Sequence, residues 1–467
     1  MSEFNRPFFR YALLSFALYA LFPLFFPLIP QINELPLQDV RSFAPNLVAG
    51  LTYGFVFTLL FYSYRQAFLD IDLTLNFRWI LAFTILFALP LLITYPINAN
   101  DIYRYYLRGR LAVIYDANPF ITTLSHFPND PFIPFAGEWA NFTSPYGPLW
   151  ELLSRFIASL NPNNLIAGVL SYKLLAIGLH IISGIILAQT PPGTGHLRRQ
   201  RALLWLWNPA LLLMFAVDGH NDILMLFWFI LGSWLWHKEY RLLALTSMLL
   251  APLTKPIGLL PLPFFYLAAL RDLPDRRQKF NFTAILTAVG LLLLVLFTAP
   301  FDSLTPLINR LINEATGGAS FSPIAALILA SRTFNFPLDY TLVTQIGIAL
   351  FLLFALYLAW RTYRHGNPFN ASGDIFYAYL LQALNFRIWY PPWLFPLYLL
   401  GSSPRLFTTR LNANFYFLYT SQISVILYGH VYAYLLQGDL ALIHFITVPF
   451  VFLLPWLLGY LYPWKPQ

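Results

Sequence analysis

The chain has 467 residues, of which 58% are hydrophobic, 18% aromatic and only 10% charged, where an ordinary soluble domain carries roughly 25% charge. With a mean hydropathy of +0.61, these figures exclude a large water-soluble enzyme and indicate a polytopic membrane protein. The lack of cysteine excludes disulfides, thiol catalysis and thiolate metal sites, and the formal charge of +8 reads as orientation and contact with anionic lipid, not nucleic-acid binding.

In chain order, Arg6 and Arg10 precede the apolar run Tyr11–Pro30. That run exceeds the ~7–15 residues of a signal-peptide core and no small-residue cleavage site follows, so it predicts an uncleaved first span. Further apolar runs follow at Leu47–Tyr62, Trp79–Tyr95, Leu165–Ala188, Ala202–Val217, Ile223–Trp236, Leu242–Leu253 and Ile257–Leu270. The remainder are Phe282–Pro300, Leu342–Trp360, Ile375–Leu384, Trp393–Leu400, Phe415–Leu436 and Leu440–Tyr462. Several fall short of the ~20 residues a full span needs. The expectation is an all-α, polytopic protein of about 12 to 14 helices. Short pairs such as Leu242–Leu270 are expected to be broken or re-entrant where they line a protein cavity. No polar stretch is long enough for a soluble domain and no internal repeat is visible, so residues 1–467 read as a single intramembrane domain.

Charge orients this layout. With both termini cytoplasmic, the inner segments hold eighteen of the 28 Lys and Arg, from Arg6 to Lys465, as the positive-inside bias requires. Two long outer loops follow, from Asn98 to about Asn164 and from Phe301 to about Tyr340.

The polar residues that bias does not explain gather towards the outer ends. In Asn98-Ala-Asn-Asp-Ile-Tyr-Arg-Tyr-Tyr-Leu-Arg108, a helix capped by Asp101 carries Arg104, Tyr105 and Arg108 at i+3, i+4 and i+7. The same spacing serves ordinary helical ion pairs. Ser144-Pro-Tyr-Gly-Pro-Leu-Trp150 sets Tyr146 and Trp150 beside turn residues; such rings suit the C–H faces of a sugar and equally an interfacial belt. Asp218-Gly-His-Asn-Asp222 packs Asp218, His220, Asn221 and Asp222 between two apolar runs, and a turn needs its Gly and Asn but not two carboxylates and an imidazole. It matches no strong metal signature. Lys255, in Thr254-Lys-Pro256, separates two short runs; an intramembrane lysine is a functional candidate unless it snorkels to water. Arg387, in Asn385-Phe-Arg-Ile-Trp-Tyr-Pro-Pro-Trp393, could grip a lipid phosphate bidentately or stack on its aromatic neighbours. Lys173 and His180 share a face of one span and either line the same cavity or, for Lys173, reach outward.

Asp101-Ile-Tyr-Arg-Tyr, Ala117-Asn-Pro-Phe, Ser144-Pro-Tyr-Gly-Pro-Leu, Gly219-His-Asn-Asp, Thr254-Lys-Pro and Ile388-Trp-Tyr-Pro-Pro-Trp occur in this order. In that order they resemble the GT-C glycosyltransferases that use polyprenyl-phosphate sugars, especially bacterial mannosyltransferases of lipoglycan and cell-wall glycan synthesis. The resemblance implies a membrane enzyme that moves a hexose, expected to be mannose, from a polyprenyl-phosphate donor to a glycan or glycolipid acceptor, inverting the anomeric centre at the outer face of the plasma membrane. It implies Asp101 as general base, with Lys255, Arg387, Arg104 and Arg108 towards the donor phosphate. Asp218, His220, Asn221, Asp222, Tyr105, Tyr146 and Trp150 are then expected around the sugar and acceptor. No cofactor and no resident metal are expected, since Asn98-Ala-Asn-Asp101 stands where metal-dependent relatives show paired acidic residues. A flippase of lipid-linked sugars and a glycan ligase or polymerase of the same broad class are the alternatives.

Overall fold

The computed structural model describes residues 6–43, 45–71, 75–191, 193–303, 305–316, 321–401 and 408–464. Among the described residues the regular structure is helical, and the single β contact is an isolated antiparallel bridge between Pro27 and Thr94. Among the described residues six helices are long and apolar enough to cross a membrane: Pro7–Phe25, Leu47–Leu69, Leu165–Gln189, Arg276–Thr298, Tyr340–Arg364 and Leu440–Leu461. A seventh span arises if the bent pair Gly195–Leu206 and Pro209–Val217, which turns by 47°, is counted as one. The protein is thus an all-α, multi-pass membrane protein. Its difference from the expected 12 to 14 helices lies in short apolar helices such as Phe77–Leu92, Asp222–His237 and Arg241–Thr254. They fall short of the ~20 residues of a straight span and are covered by protein on one side only: Phe87 is buried, whereas Leu89 is 55% exposed.

The bend has a local cause. Pro209 has no N–H to continue the preceding helix, and the Asn208 side chain caps the next one by accepting from Ala210 N at 3.0 Å and Leu211 N at 3.4 Å. A π-helical turn over Leu213–Val217 then delivers the chain to Asp218. Lipid contact is legible in Arg276–Thr298, which has no buried residue although its apolar side chains dominate; Leu292 is 66% exposed. Apolar side chains facing outward around a helix of this length are what a hydrocarbon solvent selects.

The chain divides into two compact units. The first comprises Met1–Ala44, Leu59–Gly258 and Ile285–Leu311. Within it Asp222–His237 packs along Arg241–Thr254 and against Leu165–Gln189, while Asp101–Ile114 packs on Pro148–Leu160. Much of the expected outer loop 98–164 is therefore helical. Arg110 ties its connecting segment down, pairing with Asp130 and donating to Pro162 O at 2.6 Å. The second unit comprises Pro45–Thr58, Leu259–Ala284 and Ile312–Gln467. Its helices Thr409–Ile426 and Leu454–Leu461 pack together, and Asp374 receives Arg410 at 2.7 and 2.9 Å and the Tyr398 hydroxyl at 3.0 Å.

Candidate functional site

The first unit assembles a buried polar cluster around Asp101. Asp101 opens the helix Asp101–Ile114, and its Oδ1 receives Arg104, one turn on, together with the Tyr146 hydroxyl at 3.1 Å. Its Oδ2 lies 3.2 Å from His220 Nε2. The other imidazole nitrogen, Nδ1, contacts Asp222 Oδ2, and both Asp222 oxygens receive the Lys255 ammonium at 2.9 Å. Three stretches far apart in sequence, contributing Asp101, His220 with Asp222, and Lys255, thus build one continuous chain. The side chains of Asp101, His220 and Asp222 are 6%, 1% and 0% exposed, and that of Lys255 is 13% exposed. Only the lysine end reaches outward.

Two backbone features set this geometry. Gly219 has φ +60°, a conformation that a Cβ disfavours, and an added Cβ would also lie 2.5 Å from Ile102 Cδ1. Its turn tucks His220 under the start of the Asp101 helix. Gly147 donates its N–H to Thr254 O at 2.9 Å, and a Cβ there would lie 2.1 Å from Leu253 O. The Ser144–Pro148 loop is thereby laid backbone to backbone on the segment ending in Lys255, which brings Tyr146 to Asp101.

Electrostatics follow from the contacts. Burial favours the neutral Asp101 acid, but Arg104 beside it, with His220 and Lys255, holds the carboxyl well below the usual range. Burial opposes the His220 imidazolium, yet Asp222 and Asp101 outweigh it and raise the ring's pKa. Asp101 is consequently ionised at neutral pH, and its Oδ2 keeps a lone pair for a further donor.

Other sequence-selected residues take supporting positions. Asp218 accepts from Ile97 N at 3.0 Å and Asn98 N at 3.1 Å, anchoring the loop that leads into Asp101. Tyr105 meets Tyr146 and Trp150 edge-on, with ring centroids 5.2 and 4.9 Å apart. Arg104 lies over the Trp139 ring at 4.7 Å. Arg108 donates to Thr143 O at 3.3 Å and lies over Tyr146. Asn221 is fully buried, with its backbone N–H 3.5 Å from the Tyr105 hydroxyl. Lys173 neither lines a cavity nor reaches outward: it is fully buried and its ammonium ends on the carbonyls of Leu91, Leu92 and Thr94. His180 contacts Leu206 O at 3.2 Å and stacks on Trp205.

Arg387 belongs to the second unit. It is half-buried, and two of the aromatic residues that follow it, Tyr390 and Trp393, pack on one another at 4.3 Å. Glu151 was not singled out by sequence reasoning: it is fully covered, receives the Ser144 hydroxyl and sits in the field of Arg108. An acidic residue in the first turn after Pro148 looks like ordinary helix-end chemistry, which hides it. Among the described residues no group of three or more His, Asp or Glu is arranged to hold a metal ion.

The fold and this site define a multi-pass membrane protein with a buried carboxylate–imidazole–carboxylate–ammonium chain. Residues 31–271, more than half the sequence and all of the Asp101 cluster, match the family model described as alpha-(1->6)-mannopyranosyltransferase, N-terminal domain. The chain belongs to that family. It is 28% identical over 229 residues to alpha-(1->6)-mannopyranosyltransferase A of Mycobacterium tuberculosis, covering 48% of this chain and 43% of the relative. It is 25% identical over 180 residues to alpha-(1->6)-mannopyranosyltransferase A of Corynebacterium glutamicum, covering 38% and 36%. It is 24% identical over 210 residues to alpha-(1->6)-mannopyranosyltransferase B of the same organism, covering 41% and 34%. The chain thus spans less than half the length of each of these relatives.

Proposed function

We propose that this protein is a hexosyltransferase that moves mannose from a polyprenyl-phosphate donor to a hydroxyl of a glycan or glycolipid acceptor, at the extracytoplasmic face of the plasma membrane. Asp101 is the general base. Its Oδ2 takes the proton of the acceptor hydroxyl as the oxygen attacks the anomeric carbon. The carbon–oxygen bond to phosphate breaks and its electron pair leaves with polyprenyl phosphate, inverting the centre. The alpha linkage in the relatives' names, combined with inversion, calls for a donor whose sugar is β-linked.

The observation that carries this reading is the Asp101 carboxylate itself, buried, ionised and fixed by Arg104, Tyr146 and His220 inside the family-matched segment. A base must be deprotonated and rigidly placed to contribute the ~10²–10⁴-fold typical of positioned proton transfer. The Lys255 ammonium, held by both Asp222 oxygens at 2.9 Å, stands at the outward end of the chain and is the cation assigned to the leaving phosphate. Arg104 and Arg108 hold the base and its loop as well as adding positive charge. His220, Asn221 and Asp222, with Tyr105, Tyr146, Trp150 and the Asp218-anchored loop, frame the sugar and acceptor. No metal is assigned a role.

The test is transfer of radiolabelled polyprenyl-phosphate mannose to a short mannan by purified protein in lipid, with and without chelator. Transfer that survives chelation and is lost in Asp101→Asn, with normal folding, is the expected result. Retained activity in a folded Asp101→Asn variant refutes the assignment of the base, and passage of intact labelled lipid across the bilayer without transfer would make the protein a flippase.

A further inference from the structure

Exposed aromatic rings and exposed polar groups occur together in Glu138-Trp-Ala-Asn-Phe142, beside the Asp101 cluster but outside it. Phe142 is 48% exposed and Trp139 is half-buried, with their ring centroids 5.5 Å apart. Glu138 and Asn141, next to these rings in sequence, are exposed as well. An open carboxylate is costly in hydrocarbon, so this stretch faces water or headgroups and not the lipid core.

Guanidiniums hold both rings in place. Arg104, which pairs with Asp101, lies over Trp139 at 4.7 Å, and Arg310 lies over Phe142 at 5.2 Å. Arg310 belongs to the helix Thr305–Thr316, where Leu307, three residues earlier on the same face, is buried and Ile308 is exposed. The backbone is fixed too: Phe142 N donates to Trp139 O at 3.1 Å, and Arg108 donates to Thr143 O at 3.3 Å. Phe135, earlier in the same segment, stacks on Tyr103 of the Asp101 helix at 5.8 Å. A line of touching side chains thus runs outward from the base: Asp101, Arg104, Trp139, Phe142.

We propose that this step is a subsite for the acceptor glycan. The hexose next to the one whose hydroxyl reacts lays its C–H face on Trp139 and Phe142, and Glu138 and Asn141 take its hydroxyls. This deepens the transferase reading above and rests on its placement of the base at Asp101. A sugar ring has an apolar C–H face and a polar rim, so it is matched by aromatic faces with a few polar groups beside them. Rings already held by guanidiniums lose little freedom when the sugar arrives. Binding energy gained there, away from the reacting centre, orients the acceptor hydroxyl towards Asp101 Oδ2. The subsite therefore makes a longer acceptor a better one.

The experiment compares methyl α-mannoside with the α-1,6-linked mannose disaccharide and tetrasaccharide as acceptors. Full-length protein in lipid nanodiscs is used, with polyprenyl-phosphate mannose as donor. kcat/KM is expected to rise about tenfold or more from the monosaccharide to the tetrasaccharide. In Phe142→Ala the ratio of the two values is expected to fall about tenfold, and Phe142→Trp, which keeps a ring, is expected to restore it. Asn141→Ala is expected to lower the same ratio about threefold, and serves should Phe142→Ala not fold. A loss equal for all acceptors, as an interfacial anchor or a fold support would give, overturns the subsite, and so does a natural protein with no preference for length. Binding is read separately, without donor, as nuclear magnetic saturation transfer from the protein's aromatic protons to the C–H protons of the tetrasaccharide. It is expected in the natural protein and weakened in Phe142→Ala; its absence from the first, or full retention in the second, overturns the subsite. Saturation transfer that depends on Phe142, with no mannosyl transfer to any acceptor, would refute the transferase reading and leave the glycan subsite standing.

Discussion

Replacing Asp218 tests whether the loop before Asp101 is held by one side chain. Its Oδ1 is the acceptor for two backbone N–H groups, Ile97 and Asn98, at 3.0 and 3.1 Å, and the residue is 2% exposed. Truncation to Ala leaves both donors buried without that acceptor. At about 1–3 kcal/mol for each unsatisfied group, the expected loss is roughly 2–6 kcal/mol. Asp218→Asn keeps a carbonyl oxygen in the same place, so its cost is expected to be about 1 kcal/mol. A loop displaced by an ångström carries the base with it, which predicts a kcat loss on the order of 10²-fold for Ala and much less for Asn. Apparent melting in nanodiscs and the mannosyl-transfer assay read the two effects. Burial also pushes the Asp218 carboxyl up to about 7, against the pull of Asn98, His220, Lys173 and Ile97. Between about pH 4 and pH 7 the folded protein thus keeps a proton that the unfolded chain has released, so this group's contribution to stability declines as pH rises through that window. Asp218→Asn removes the decline. Equal damage from Asn and Ala, with the pH slope unchanged, would refute the reasoning.

Gly147→Ala is expected to cost about 1–3 kcal/mol, because its Cβ meets the Leu253 carbonyl and backbone has no rotamer with which to yield. Tyr146 moves off Asp101 in consequence, and transfer should fall about tenfold or more, read as kcat. Lys173→Met removes the ammonium that gathers the carbonyls of Leu91, Leu92 and Thr94. A drop in apparent melting equivalent to roughly 2 kcal/mol, with Lys173→Arg unable to restore the natural value because a planar fork cannot replace a point donor, is the expected outcome in a thermal-shift series.

Much of the site was legible before any fold was known, because its residues are costly to keep. Two carboxylates and an imidazole within Asp218–Asp222, and a lysine between two apolar runs, have no place in hydrocarbon unless they are partnered, and Asp101 with Arg104 at i+3 pairs by local spacing alone. Periodicity and composition likewise sufficed for an all-α membrane protein, since backbone groups in lipid must be satisfied within the segment. Which apolar runs cross the membrane was not legible. A run is equally apolar whether lipid or protein covers it, and Asp222–His237 and Arg276–Thr298 differ in burial, not in kind. Pairings across long sequence separations were also invisible. Nothing local says that His220 lies between Asp101 and Asp222, that Asp218 serves two amides 120 and 121 residues away, or that Lys255 meets Asp222 through both oxygens. Sequence determines which groups must find partners; the tertiary structure decides which ones they find, because close backbone approaches at Gly147 and the left-handed turn at Gly219 set distances that no local pattern encodes.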